Sequence, residues 1–242
     1  MSVIKKLMEF RQNITHFRQD KIPDKKVIEQ LLKDAHELVP HKNNMWAYSI
    51  DVYGPEHANE KTAVALQTVT GYGKRAFAPG GKYSGDVAKL QRIYDSWKEL
   101  REKYRYGKTK SSVDKFEGYS FNDQVTAPYL LVYRQKPGFP SAKQMEKGYR
   151  KLLIDYKDNS QWYISASMHG YGLSLLAAEH DLHASFCKCY YHSLDNFTNI
   201  LAPLKHGWDN IAFMLGVGYK DKEMPYKKHE NKPDIDEIVE WK

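Results

Sequence analysis

The 242-residue sequence has no apolar run approaching the roughly 18–20 residues that a bilayer-spanning helix needs. Cysteine is scarce, with only Cys187 and Cys189. Two cysteines at i, i+2 on a strand point the same way, a poor geometry for a disulfide between them, and this predicts a reduced, cytoplasmic setting. A Walker loop, a Rossmann glycine fingerprint and a nucleophile elbow are all missing, which removes three common routes to phosphate, dinucleotide and acyl chemistry. No internal repeat and no linker-like stretch divides the chain. The first ten residues mix Lys5, Lys6 and Glu9 with apolar residues at helical spacing, unlike a secretory signal.

What is present suits one large domain over residues 1–242. A hydrophobic fraction of 41% provides for an ordinary core. The net charge of +7 arises from 37 basic and 30 acidic residues interspersed along the chain, so it points equally to nucleic acid and to an anionic cofactor. The 18 tyrosines favour rings with one wet edge at pockets and interfaces.

Apolar spacing predicts a helix over 1–10, with Val3, Ile4, Leu7, Met8 and Phe10 on its face. Pro23-Asp24 opens a second, carrying Val27, Ile28, Leu31, Leu32, Ala35 and Leu38 and ending before Pro40. Strands are predicted over 46–53, 130–133, 184–190 and 211–219. Residues 162–178 are apolar on nearly all sides, which marks a central helix buried in the domain or at a subunit interface. Gly170 and Gly172 within it allow close backbone approach. Further helices are expected over about 57–69, 87–104, 141–155 and 194–201. The glycine-rich stretch 71–86 reads as a loop, and the region from about 71 to 120 as a lid-like excursion. From Lys220 the chain becomes a charged arm ending in Ile235, Ile238, Val239 and Trp241. Helices packed around a sheet make an α+β fold.

Two polar, cationic clusters stand out, neither apolar enough to read as core: Phe10-Arg11-Gln12-Asn13-Ile14-Thr15-His16-Phe17 and Pro225-Tyr226-Lys227-Lys228-His229-Glu230-Asn231-Lys232-Pro233. Arg11 has a planar donor fork matched to phosphate, and Asn13 and Thr15 add neutral donors. The bland alternative is an Arg11 surface ion pair and an Asn13 helix cap. Pro40-His41-Lys42-Asn43-Asn44-Met45-Trp46 joins a helix to a strand, a place where amides can reach a heterocycle and Trp46 can wall it. His183, Cys187, Cys189 and His192 have no usual zinc spacing and read as buried residues, so no metal is expected. Lys74, Arg75 and Lys82 alternate with Tyr72, Phe77 and Tyr83, as in single-strand binding, but a lid over a flat substrate is the preferred reading.

Several of these stretches, in order along the chain, resemble the FMN-dependent nitroreductase family. The family's Arg-x-Ser-x-Arg-x-Phe is similar to Arg11-Gln12-Asn13-Ile14-Thr15-His16-Phe17, followed by Lys21-Ile22-Pro23. Its Pro-Ser-x-x-Asn-x-Gln-Pro-Trp-x-Phe is similar to residues 40–48, shortened by two. An Ala-Pro before a hydrophobic strand stands at Ala127-Pro128. The family's Leu-Ala-Ala-x-x-x-Gly-Leu resembles Leu175-Leu176-Ala177-Ala178-Glu179-His180-Asp181-Leu182. Its closing Leu-Gly-x-Gly-Tyr and Pro-Leu-x-Glu-Val-Val resemble residues 215–219 and 233–239.

The resemblance implies an α+β sandwich with a central, mostly antiparallel sheet flanked by helices, and a homodimer that exchanges its C-terminal arm. It also implies FMN at the dimer interface, taking electrons from NAD(P)H and passing them to a nitroaromatic, quinone or similar acceptor. Carried over, Arg11 binds the FMN phosphate, Gln12, Asn13 and Thr15 contact phosphate, ribityl or ring edge, and Asn44 lies near the ring. Lys228 or Lys232 is the second phosphate cation. No catalytic side chain is singled out. Two departures stand out: Thr15 replaces a second basic residue, and Phe186-Cys187-Lys188-Cys189-Tyr190 lacks the glycine that usually meets flavin N5. Alternatives are a flavin relative that dehalogenates or fragments flavin, or a nucleic-acid-binding protein without flavin.

Overall fold

The computed structural model describes residues 2–12, 14, 16–41, 46–58, 60, 61, 64, 124–135, 160–188, 211–221 and 233–240. Helix α1 spans Val3–Phe10, with the Ser2 side chain accepting from the Lys5 backbone N–H at its start. Helix α2 spans Lys25–Leu38; Asp24 caps it by accepting from the Lys26 N–H at 2.8 Å. It ends where Pro40 disfavours helical geometry in the residue before it. Ile28, Leu31 and Ala35 are its buried stripe, whereas Leu38, predicted on the same face, is exposed in the last turn.

Among the described residues four strands follow: β1 (Tyr48–Tyr53), β2 (Tyr129–Gln135), β3 (His183–Cys187) and β4 (Ile211–Gly218). They form one antiparallel sheet in the order β1-β2-β4-β3. Both faces are covered, so β2 and β4 read as continuous apolar runs rather than alternating ones. Tyr129, Leu131 and Tyr133 of β2 and Phe213, Leu215 and Val217 of β4 share a core with α2 and the long helix α3 (Ser160–Glu179). Leu130, Val132 and Met214 turn to the other face, with Val64, Val125 and Cys187. On edge strand β1, Asp51 takes a two-point ion pair from Arg134 at 2.6 and 2.8 Å, a diagonal cross-strand contact.

α3 matches the predicted central helix. Gly170 lets the Phe213 ring in, at 2.8 Å from where a Cβ would stand, and Gly172 faces Val39 at the end of α2. The helix closes with Leu182 N–H donating to the Ala177 carbonyl and Asp181 N–H to that of Ala178, at 3.0 and 3.2 Å. Asp181 has φ 56°, the left-handed conformation such a close requires. Ala58, Glu60, Lys61 and Val64 are helical, on the segment predicted as a helix over about 57–69. The helices expected over 87–104, 141–155 and 194–201, the 71–86 loop and the 71–120 excursion lie outside the described residues, as does the basic loop considered for nucleic acid.

Candidate anion and cofactor site

Arg11 closes α1, its backbone N–H donating to the Leu7 carbonyl at 2.8 Å. The preceding Phe10 ring lies on His183, centroid to centroid 4.4 Å. Burial pushes the His183 imidazole down to about 4, with Lys220 adding to the effect and Asp181 opposing it, so it is neutral at pH 7. The Arg11 guanidinium stands 5.2 Å over the Tyr171 ring of α3. Its Nε is buried and has no hydrogen-bond partner among the described residues. A buried guanidinium N–H left unpaired carries a desolvation cost that an incoming oxyanion removes. Gln12 follows, half-buried.

The stretch that reads as too polar for core is pinned by two apolar residues. Ile14 and Phe17 are fully buried, in one cluster with Ala127. Isolated apolar residues in a polar stretch carry no periodicity, which is why the sequence hides this. Phe17 bridges to Lys220; the Arg18 N–H donates to the Tyr219 carbonyl at 2.8 Å and the Asp221 N–H to that of His16 at 3.1 Å. Room for this packing comes from Gly216 and Gly218. A Cβ at Gly218 would stand 2.7 Å from Pro128 and 3.1 Å from Phe17, and one at Gly216 would run into the Gln124 carbonyl. Lys61, buried, donates from Nζ to the carbonyls of Ala127 and Pro128, both at 2.8 Å. The N-terminal cluster is thereby tied to the first residues of the basic C-terminal arm.

Of the cofactor residues expected from the sequence, Arg11 and Gln12 are placed here. Asn13, Thr15, Asn44, Lys228 and Lys232 lie outside the described residues. Tyr171, which supports Arg11, was missed because nothing near it in sequence marks it as a cation's neighbour.

Trp46, expected as a wall, packs between His36 and His41, with ring centroids 5.6 and 4.7 Å away. Behind it His41 and Tyr48 share a 2.6 Å hydrogen bond, and Tyr133 and His169 one of 2.9 Å. The zinc alternative gains nothing: His183 packs against Phe10 while Cys187 sits in the apolar layer with Val64. No group of three or more potential ligands occurs among the described residues, and Cys189 and His192 lie outside them. No helix among the described residues is long and apolar enough to cross a membrane.

No protein-family model and no curated protein matches the chain. Solved structures do, over its full length. A nitroreductase-like family protein from Bacillus cereus matches 100% of this chain and 96% of its own, with TM-score 0.55 and 18% identity. The FMN- and NADPH-dependent nitroreductase NfnB from Sphigopyxis sp. strain HMH matches 100% and 99%, with TM-score 0.57 and 16% identity. A nitroreductase with bound FMN from Bacteroides fragilis matches 99% and 100%, with TM-score 0.58 and 11% identity. The chain has the nitroreductase-like fold. At such identities the likeness concerns architecture: an antiparallel sheet with helices packed on it, as the motif order implies. Within that fold, the Arg-to-Phe stretch, the Ala-Pro turn and the Gly-x-Gly strand end meet in one place. Phe17 and Ala127 share a cluster, and both close on the glycines of β4.

Proposed function

We propose that this protein is an FMN-dependent oxidoreductase of the nitroreductase type, moving electrons from NAD(P)H to a nitroaromatic, quinone or similar flat acceptor, and acting as a homodimer. The observation that carries the reading is Arg11: a half-buried guanidinium, backed by Tyr171, with its Nε unpaired among the described residues. That donor set fits a phosphate monoester, whose charge of roughly −1.5 to −2 one arginine and several neutral donors can hold. Arg11 anchors the phosphate, Gln12, Asn13 and Thr15 supply neutral donors, and Asn44 holds the ring edge. Lys228 or Lys232, from the arm that begins beside His16 and Arg18, provides the second cation. Bound FMN supplies the hydride and electron chemistry; the protein's part is to fix the ring and leave one face open for a flat acceptor. The strand that lacks the family's glycine places Cys187 in the core and exposes Lys188, which bonds to the Tyr163 hydroxyl at 2.6 Å.

The first test is the visible spectrum of the purified protein, with absorbance expected near ~370 and ~450 nm and FMN released on denaturation. Arg11→Ala should weaken FMN binding on the order of tenfold to a hundredfold, the worth of a charge-assisted hydrogen bond. A colourless protein that does not take up added FMN would overturn the reading. Unchanged FMN affinity in Arg11→Ala would remove Arg11 from the site.

A further inference from the structure

His41 is placed to take a proton from a buried phenol. Directly after Pro40, it shares a 2.6 Å hydrogen bond through Nε2 with the Tyr48 hydroxyl at the start of β1. Its ring also bonds to the Val39 backbone, and that contact favours the protonated imidazole. A backbone group that favours imidazolium is a carbonyl accepting from the ring, so Nδ1 carries the proton and Nε2 is bare. The Tyr48 O–H therefore donates to Nε2. Tyr48 is 8% exposed; the half-buried Trp46 ring lies on the far side of His41, 4.7 Å away. Deeper in the core, Tyr133 stands 5.9 Å from Tyr48 and shares a 2.9 Å hydrogen bond with His169. We propose that Tyr48 and His41 form a proton-coupled redox pair, at which a one-electron oxidation of this protein comes to rest as a Tyr48 phenoxyl with its proton held on His41.

A phenol that loses an electron becomes a strong acid, and in a dry site the resulting charge is costly unless a base receives the proton. At Tyr48 the electron leaves to a strong one-electron oxidant, the O–H bond breaks, and the proton moves along the existing hydrogen bond to His41 Nε2. The products are a neutral phenoxyl, an imidazolium and an oxidant reduced by one electron. One electron from a reductant of the ascorbate class, with the proton returning from Nε2, restores the phenol. Burial and His36 lower His41 below its ordinary value, so it is a neutral base at pH 7. Burial raises Tyr48, so the phenol keeps its proton until it is oxidised. The other hydrogen-bonded phenols suit this less well. His169 is 2% exposed and held down to about 4 by burial, with His41 and His36 adding to it. An imidazolium there costs more than on half-buried His41, so the oxidised state moves from Tyr133 to Tyr48. Tyr163 donates to the Ala212 carbonyl, which does not take up a proton. Ring separations of 5.8 and 4.7 Å lead from Tyr48 through His41 to Trp46, a short path for an electron leaving to a solute.

Flash-quench oxidation of the purified protein tests this, with photogenerated ruthenium(III) tris-bipyridine as the oxidant and electron paramagnetic resonance after rapid freezing as the readout. A phenoxyl signal should outlast those of exposed tyrosines, which couple with one another to dityrosine, and ascorbate should erase it. Tyr48→Phe, which removes only a hydroxyl, should abolish the long-lived signal, whereas Tyr133→Phe should keep it. His41→Gln, at a half-buried position, should slow its formation by about a hundredfold or more, the worth of a positioned base. Circular dichroism checks the fold of each variant, and if Tyr48→Phe does not fold, His41→Gln decides the outcome. Absence of a long-lived phenoxyl, its survival in Tyr48→Phe, its loss in folded Tyr133→Phe, or unchanged formation in His41→Gln would overturn the pair. The pair stands apart from the flavin reading, and none of these results bears on FMN binding.

Discussion

His183 is 5% exposed and packed against Phe10, and burial holds its imidazole down to about 4. In the unfolded chain the same ring titrates near 6.5, as any solvated histidine does. Above about pH 6.5 it is neutral in both states and stability is unaffected. As the pH falls from about 6.5 towards 4, the unfolded state binds the proton and the folded state does not, so stability drops; below about 4 both bind it and the loss stops. His183→Gln should therefore reduce the slope of unfolding free energy against pH in that window by at most about 1.4 kcal/mol per pH unit, measured by urea unfolding. An unchanged slope would mean that His183 is protonated in the fold. Nothing in the sequence marks His183 as neutral, because the ring that packs against it, Phe10, is far away in the chain. Arg11 is the reverse case: its cationic fork is legible from residue type, whereas its support on Tyr171 is not.

The element boundaries follow from local chemistry. Asp24 and Pro40 bracket α2, and the apolar runs of β2 and β4 mark buried strands. The close of α3 is legible too: Asp181 stands where the similar family motif has glycine and adopts the left-handed φ that glycine favours. The packing of β4 was less visible. Gly216 and Gly218 look like strand-weakening residues in sequence, yet each makes room for a segment crossing the strand. Gly216→Ala should destabilise the fold by about 1–3 kcal/mol, as overpacking does, because the obstacle is the Gln124 backbone carbonyl rather than a movable side chain. Thermal unfolding would show it; an unchanged Tm would mean that the Gln124 carbonyl moves aside.

Among the described residues, large apolar side chains are left exposed on several elements of the single chain. Val3, Ile4 and Met8 are exposed on α1, Ile164 and Met168 on α3, and Ile235, Ile238 and Val239 near the end of the arm. Exposed large apolar side chains on several elements are what an interface needs, and the homodimer reading gives them a partner. Light scattering should report a dimer, and Ile164→Glu with Met168→Glu should shift it towards monomer. A wild-type monomer at micromolar concentration would count against the homodimer and against a site completed by a second copy.

Local rules were enough to read the class of the fold, the order of its described strands and helices, and the cation at Arg11, since capping, periodicity and charge are written into neighbouring residues. Contacts between distant parts of the chain were not readable in that way. Folding was needed to bury Ile14 and Phe17 inside a polar stretch, to set Arg11 on Tyr171, to neutralise His169 and His183, and to bring residues 16–18 alongside 219–221. Each depends on desolvation or packing by residues far off in sequence, and a single chain of letters records neither.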